Sequence, residues 1–151
     1  MALPTVFIDA DACPVKDEVY RVAARYGLAV KVVANAPMRV PGGAVEMVVR
    51  PGFGAADDWI AEQAAAGDIV ITADIPLAAR SLAKAARVLD PKGHEFTANN
   101  IAEALALRAM LEEARAAGAA TGGPAPMTPK DRSRFLSKLD EAASAAVRQS
   151  R

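Results

Sequence analysis

Short apolar runs rich in β-branched residues alternate with helix-like segments along most of this chain. Strand-like runs occupy residues 5–8, 29–34, 46–49, 68–72 and 87–89, and helix-like segments occupy residues 14–26, 55–66, 75–86 and 99–117. Strands that alternate with helices usually build a parallel sheet with right-handed crossovers. The sequence therefore predicts an α/β protein with a central, mostly parallel sheet flanked by helices.

The length of 151 residues suits one domain with a substantial core. After the predicted α/β portion, a Gly- and Pro-rich connection leads to a last amphipathic helix that begins at Met127 or Thr128. We expect residues 1–117 to form the α/β domain. Residues 118–151 are expected to supply the connection and a helix that belongs to the same domain.

The composition favours a protein of a reducing compartment. Cys13 is the single cysteine, so an internal disulfide is excluded. No apolar stretch approaches the roughly 20 residues that a membrane helix needs, and the N-terminus lacks signal-peptide features. The formal net charge is zero, so the overall charge does not point to nucleic acid. We expect a cytoplasmic protein that does not enter a membrane.

Aspartates follow several apolar runs or begin the next helical segment. They are Asp9, Asp11, Asp57, Asp58 and Asp74. Open α/β sheets bind ligands outside the carboxyl ends of their strands, where crowded carboxylates repel unless a cation or proton intervenes. Oxygen ligands of this kind suit Mg²⁺ or Mn²⁺. We expect all five acids to form such a metal site, supported by Thr72, which shares a strand face with Asp74.

Most of these acids also have a structural alternative. Asp11 and Asp74 could each cap a following helix, and Asp57 and Asp58 could complement a helix dipole. Asp9 has no such role, because it ends a strand expected to be buried, where a lone carboxylate is costly. Caps accept Ser, Thr or Asn equally well, yet every position holds Asp. The set as a whole therefore favours an ion site.

Basic residues lie outside this acidic centre. Residues 51–75 contain no lysine or arginine, whereas bases occur on both sides, among them Arg39, Arg50, Lys130, Arg132 and Arg134. Loop glycines followed by an Asp-Arg pair could bring a base to a phosphate, which would involve Gly122, Gly123 and Arg132. The alternative is a turn followed by a helix-capping pair.

The segment VFIDADACPV resembles the first motif of haloacid-dehalogenase-type phosphatases, an apolar strand followed by Asp-x-Asp. That resemblance implies a covalent nucleophile at Asp9 and an acid at Asp11, with Thr72 matching the second motif. The order then departs from the pattern. The paired acids of those enzymes come late, after a lysine, whereas Asp57 and Asp58 precede Thr72 here.

Nearly the whole chain resembles the YaiI/YqxD family of uncharacterised bacterial proteins. The resemblance rests on FIDADACPVK, ADDWI, GDIVITADIPLA, GHEFTANNI and GGPAP followed by DRSRF, in the expected order. That family in turn resembles PIN and NYN nuclease-like domains, which bind Mg²⁺ or Mn²⁺ and cut RNA. Carried over by motif, Asp9 is the first-strand acid, Asp74 is the Thr-x-Asp acid, and Asp57 or Asp58 is the intervening acid. Asp11 has no firm counterpart.

These resemblances imply a three-layer PIN-like fold and a metal-dependent ribonuclease in which Asp9 and Asp74 act in catalysis. Single-stranded RNA is the expected substrate. Two alternatives stay open: a small-molecule phosphatase with Asp9 as nucleophile, and a non-catalytic RNA- or protein-binding module. The sequence leaves the oligomeric state open.

Overall fold

The computed structural model describes residues 2–119 and 125–150 and shows one six-stranded sheet with helices on both faces. In chain order the elements are β1 (Thr5–Asp9), a 3-10 turn (Ala10–Ala12), α1 (Lys16–Tyr26), β2 (Ala29–Ala34), β3 (Val45–Val49), α2 (Ala55–Gln63), β4 (Ile69–Ile71), α3 (Ile75–Ala83), β5 (Arg87–Leu89), β6 (Glu95–Phe96), α4 (Ile101–Ala116) and α5 (Pro129–Gln149). The strand order is β3-β2-β1-β4-β5-β6, and β6 pairs antiparallel to β5 while the other pairings are parallel. The predicted α/β class with a mostly parallel sheet is confirmed.

Each face of the sheet carries its own core, because successive strand side chains point to opposite faces. Val6 and Ile8 of β1 pack with α1 and with Phe135 of α5 on one face. Phe7 packs on the other face with residues of α2 and α3, including Ile60. The same alternation carries Asp9 onto the face of Phe7, beside α2. The fold thus has a helical layer on either side of the sheet.

Three helices differ from their predicted bounds for local reasons. α1 begins at Lys16 and not at residue 14, because a 3-10 turn follows β1. α2 ends three residues early, where the Asp68 carboxylate accepts from Ala65 N. α3 ends at Ala83, since Ala85 adopts a left-handed φ of 63° that breaks the helix. The short strand β6 was not predicted.

α5 is capped and then packed closely against the rest of the chain. Thr128 Oγ1 accepts from Asp131 N at 3.1 Å, and the Asp131 carboxylate accepts from Thr128 N at 3.1 Å, which is a capping box. Phe135 and Leu139 are buried in the core. A Cβ at Gly93 would lie 2.7 Å from Phe135 N, so the turn after β5 and α5 meet backbone to backbone.

α4 contrasts with α5, because none of its residues is buried. It lies on α3 and leaves several large apolar side chains exposed, namely Leu105, Leu107, Met110 and Leu111. Asn100 occupies the N-cap position, but its side chain bonds to Thr97 N and Glu95 O and not to the helix. In the described parts of the chain, no helix combines the length and apolarity needed to cross a membrane.

Candidate active site

A cavity of about 330 Å³ opens at the carboxyl ends of the central strands. The strand order reverses between β1 and β4, and this switch point is where open α/β sheets bind their ligands. Four of the five predicted acids line the cavity together with Asn35 and Phe53: Asp9, Asp11, Asp57 and Asp74. We call this space the acid cavity.

Thr72 connects two of the acids. The register between β1 and β4 places it beside Asp9, and the buried Thr72 hydroxyl donates to Asp9 Oδ2 at 2.7 Å. The same hydroxyl accepts from Asp74 N at 3.0 Å. Asp74 Oδ1 in turn accepts from Leu77 N at 2.8 Å, so the predicted cap of α3 is present. Asp74 thus caps a helix and lines the cavity at once.

Asp57 and Asp58 point in different directions from the first turn of α2, because adjacent helix positions lie about 100° apart. Asp57 faces the acid cavity, whereas Asp58 is exposed and pairs with Arg80 of α3 at 2.7 Å. Burial, followed by the charges of Asp9, Asp74 and Asp58, raises the pKa of Asp57 to about 6. The structure therefore brings Asp57, and not Asp58, to the other acids.

The pKa of Asp9 is raised for similar reasons. Burial is the main cause that raises the pKa of its carboxyl group, and the nearby charges of Asp74 and Asp11 add to the increase. The hydrogen bond from Thr72 opposes it. Both Asp9 and Asp57 thus lie where a proton or a cation would relieve repulsion among the carboxylates.

Asp11 links the acid cavity to a neighbouring loop. It lies in the 3-10 turn, and its carboxylate oxygens accept from Asn35 N at 3.3 and 3.4 Å. In the amide orientation that satisfies its neighbours, Asn35 Nδ2 donates to Arg50 O at 2.9 Å and to Gly52 O at 3.2 Å. The alternative in which Asp11 caps α1 is wrong, since Val15 occupies that N-cap position without a side-chain cap.

The predicted phosphate-binding residues do not line the acid cavity in the described parts of the chain. Arg132 lies on α5 against α1, where it donates to Pro14 O at 2.9 Å and pairs with Glu18 at 3.0 Å. Gly122 and Gly123 lie outside the described residues. The Asp-Arg pair after the connection thus takes its structural alternative, a capped helix start that docks on α1.

Sequence reasoning overlooked Phe53, whose side chain is fully exposed on the rim of the acid cavity. Its neighbours Gly52 and Gly54 have φ values of 110° and 73°, in the left-handed region that favours glycine. The segment PGFG carried a usable signal, since an aromatic residue between two loop glycines has no strand or helix with which to enter a core.

The donors in the acid cavity suit a hard divalent ion in type, since all are carboxylate oxygens. Within residues 2–119 and 125–150, no three Asp, Glu, His or Cys side chains converge closely enough to hold one ion between them. Asp9 and Asp74 each engage one oxygen in a hydrogen bond inside the protein. Ion binding by this set would therefore require carboxylate side chains to rotate toward one another.

The topology and the acid cavity define an α/β protein with an acidic site at the switch point of its sheet. The model of the family described as "Uncharacterized BCR, YaiI/YqxD family" matches residues 7–145. The chain belongs to this family, as its motifs predicted.

Curated relatives align with this chain over nearly their full lengths. The chain is 57% identical to a UPF0178 protein of Rhodospirillum centenum over 149 residues, which cover 95% of this chain and 97% of the relative. It is 53% identical to a UPF0178 protein of Rhodospirillum rubrum over 146 residues, with the same coverage of 95% and 97%. No solved structure matches the chain.

Proposed function

We propose that this protein is a Mg²⁺- or Mn²⁺-dependent nuclease of the PIN-like type that hydrolyses phosphodiester bonds in RNA. The observation that carries the proposal is the meeting of Asp9, Asp57 and Asp74 in one cavity at the switch point, where the pKa values of Asp9 and Asp57 are raised. The order of a first-strand Asp and a later Thr-x-Asp supports the PIN-like assignment.

Asp9, Asp57 and Asp74 would hold the ion in this proposal. When bound, such an ion supplies an activated water molecule and neutralises charge on the phosphate. Thr72 positions two of its ligands, through its bonds to the Asp9 carboxylate and to Asp74 N. Asp57, with a pKa of about 6, carries a proton below that pH and gives it up when a cation takes its place.

Ion binding is tested first, by calorimetry and by the melting temperature with and without Mn²⁺. A ligand that binds only the folded state raises the melting temperature. The substitutions Asp9→Asn, Asp57→Asn and Asp74→Asn should each remove most of that increase. Asn at position 74 can still cap α3, so this variant separates charge from capping. Asp58→Asn, one residue from Asp57 but paired with Arg80, is the matched control and should keep the increase.

Proton competition gives the ion site a pH signature. Because the pKa of Asp57 is about 6, Mn²⁺ affinity should fall as pH decreases from 7 to 5. In Asp58→Asn this fall should persist. Absence of any Mn²⁺ or Mg²⁺ binding at millimolar concentration would remove the metal site from the proposal.

Hydrolysis is tested with end-labelled single-stranded RNA. Cleavage should require Mn²⁺ or Mg²⁺, stop in EDTA and be lost in Asp9→Asn. RNA binding by that variant should persist or improve, since one negative charge facing the phosphates is gone. A metal-loaded protein that neither binds nor cuts RNA at low salt would disprove the nuclease. Tight RNA binding without any cleavage would instead favour a non-catalytic binding module.

The phosphatase alternative makes a different prediction for Asp9. The carboxylate of a covalent nucleophile accepts beryllofluoride as a mimic of aspartyl-phosphate, whereas an ion ligand held by Thr72 should not. We expect no beryllofluoride adduct at Asp9 and no phospho-enzyme with acyl-phosphate donors. An adduct at that residue would replace the nuclease proposal with the phosphatase.

A further inference from the structure

An aromatic side chain stands fully exposed at one rim of the acid cavity. Phe53 lies between two glycines in left-handed conformations, in the loop that enters α2. Ala55 N donates to Gly52 O at 3.2 Å and Asp58 N donates to Gly54 O at 2.9 Å. The backbone on either side of Phe53 is therefore tied to the first turn of α2, while the ring projects into solvent.

The base of this loop is also fixed from the side of the sheet. In the orientation that satisfies its hydrogen-bonding neighbours, the amide of Asn35 donates to Arg50 O and Gly52 O. The Arg50 guanidinium lies 5.2 Å from the ring centroid of Trp59, a cation–π contact. Trp59 in turn meets Phe7 edge to face, with ring centroids 6.0 Å apart. The backbone that carries the exposed ring is thus fixed relative to the acids.

A second groove adjoins the acid cavity, and Phe53 does not line it. Ala73 and Asp74 line both spaces, and the groove continues along α4 past Arg108 and Arg115. Leu107 and Leu111 form its apolar wall. We call it the α4 groove. Asp74 therefore belongs both to the cavity whose rim carries the exposed ring and to the groove that carries two guanidinium groups.

The two arginines are available to an anion. Arg108 pairs with Glu112 on the same exposed helix surface at 2.7 Å, and such exposed pairs contribute little to stability. Arg115 Nε donates to the Leu111 carbonyl at 3.3 Å, which leaves its charge uncompensated by that contact. The α4 groove thus presents positive charge next to the acids, although the whole chain has a net charge of zero.

We infer that an unpaired RNA strand lies across the acid cavity, with one base stacked on Phe53 and the phosphates of adjoining nucleotides against Arg108 and Arg115. This inference rests on the proposed function and names its substrate class. A base can stack on a protein ring only when its face is open, as in a single strand and not within a duplex. Arginine contacts to phosphates place the strand without reading its sequence. The site accordingly selects single strands with little base preference.

Stacking is tested by binding of a short fluorescent single-stranded RNA at low salt in EDTA, where cleavage does not interfere. Phe53→Ala should weaken binding by about 5- to 150-fold, the range for loss of one stacked base. Phe53→Trp should bind at least as tightly, whereas Phe53→Leu should behave like Phe53→Ala. Fluorescence of 2-aminopurine in the RNA should be quenched by the native protein and not by Phe53→Ala. Leu3→Ala, an exposed apolar residue at the opposite edge of the sheet, is the control and should leave binding unchanged.

The phosphate contacts are tested by charge reversal. Arg108→Glu and Arg115→Glu should weaken binding of all RNA sequences alike and make it less dependent on salt. Arg148→Glu changes the same charge on α5 and should leave affinity nearly unchanged. Self-association through Leu107 and Met110, with RNA affinity insensitive to both groove arginines, would show that α4 binds a second copy and would overturn this half of the inference.

Failure of the inference can be told from failure of the proposed function. Mn²⁺-dependent cleavage that Asp9→Asn abolishes, with affinity unaffected by Phe53→Ala, would keep the nuclease and overturn the strand path. Duplex RNA bound as tightly as single strands would also overturn it. Binding that depends on Phe53 and on the arginines, without metal-dependent cleavage, would support the strand path while removing hydrolysis.

Discussion

Two aspartates at opposite ends of the central strands show how differently the same side chain can be used. Asp68 precedes β4, and its two oxygens accept from Thr5 N and Ala65 N, each at 2.9 Å. Asp9 ends β1 at the other edge, where a single side-chain bond from Thr72 holds it among other acids. Asp68 joins β1 to the end of α2, whereas the Asp9 carboxylate is crowded by like charge.

The difference separates a carboxylate whose charge the fold stabilises from one whose charge the fold disfavours. Hydrogen bonds from backbone N–H groups stabilise a charged carboxylate, while burial beside other acids disfavours its charge. Removal of Asp68 should therefore destabilise the protein, and removal of charge at Asp9 or Asp57 should stabilise the metal-free protein. Four substitutions test this contrast in sign.

The largest effect is expected for Asp68→Ala. Two backbone N–H groups lose a charged acceptor, and such bonds contribute about 1.5–3 kcal/mol each before water compensates at exposed sites. We expect the free energy of unfolding in urea to fall by about 2 kcal/mol. Asp68→Asn keeps one acceptor oxygen and should lose less. Equal stability of Asp68→Ala and the native protein would contradict the structural role.

Asp57→Asn should change how stability depends on pH in EDTA. The folded pKa of about 6 lies above the ordinary aspartate value of 3.8, so Asp57 supports folding fully below pH 4 and loses that contribution as pH rises through 6. Asn cannot ionise, so the variant should become more stable than the native protein as pH rises from about 4 to about 6. Above about pH 6 this difference in stability should stay constant. Urea unfolding at several pH values measures the difference. A gain independent of pH would refute this explanation.

Asp9→Asn should have a smaller effect of the same sign. Burial raises the pKa of Asp9, but the bond from Thr72 partly compensates the charge, and an Asn side-chain oxygen can still accept that bond. Without metal at pH 7, we expect a melting temperature a few degrees above that of the native protein. Mn²⁺ should reverse the order of the two proteins. A lower melting temperature in EDTA would mean that Asp9 is chiefly structural.

Asp58→Asn should have the smallest effect. Its bond to Arg80 lies on the exposed surface, and such pairs contribute little to stability. We expect a change within about 0.5 kcal/mol in the free energy of unfolding and at most a small change in Mn²⁺ affinity, since Asp58 is the last of the causes that raise the pKa of Asp57. A loss of Mn²⁺ binding here would move the ion site from the cavity to the outer face of α2.

The sequence predicted the strands and the acids because both depend on local pattern. Short β-branched runs placed β1, β2 and β5, and the position of each Asp after a run predicted a common edge of the sheet. The family match followed from motifs in the same way. The features that the residues alone did not decide depend on angles around a helix and on contacts between distant parts of the chain. The one-residue difference between Asp57 and Asp58 decides which of them enters the cavity, and no periodicity in so short a helix resolved that.

It was harder still to predict which basic residues lie near the acids. Arg132 and Arg134 form the densest basic segment of the later chain, yet Arg132 pairs with Glu18 of α1 and Arg134 pairs with Asp131 of α5. Arg108 and Arg115 belong to α4, and the sequence of that helix does not indicate which parts of the chain it packs against. Their place beside Asp74 follows only from the packing of α4 on α3.

The covering of α1 by α5 has a consequence for how the chain folds. The bond between Arg25 and Asp140 spans 115 positions, and β1 pairs on one side with β4, which comes after two further strands and two helices. Contacts this distant form slowly, because loop-closure entropy must be overcome before any of them stabilises the chain. Until α5 docks, the part of the core beside α1 that Phe135 and Leu139 cover stays open to water, and a refolding intermediate should bind a hydrophobic dye and aggregate readily. No residue of α5 lines the acid cavity, so the chemical site can assemble in a chain whose last layer is still missing.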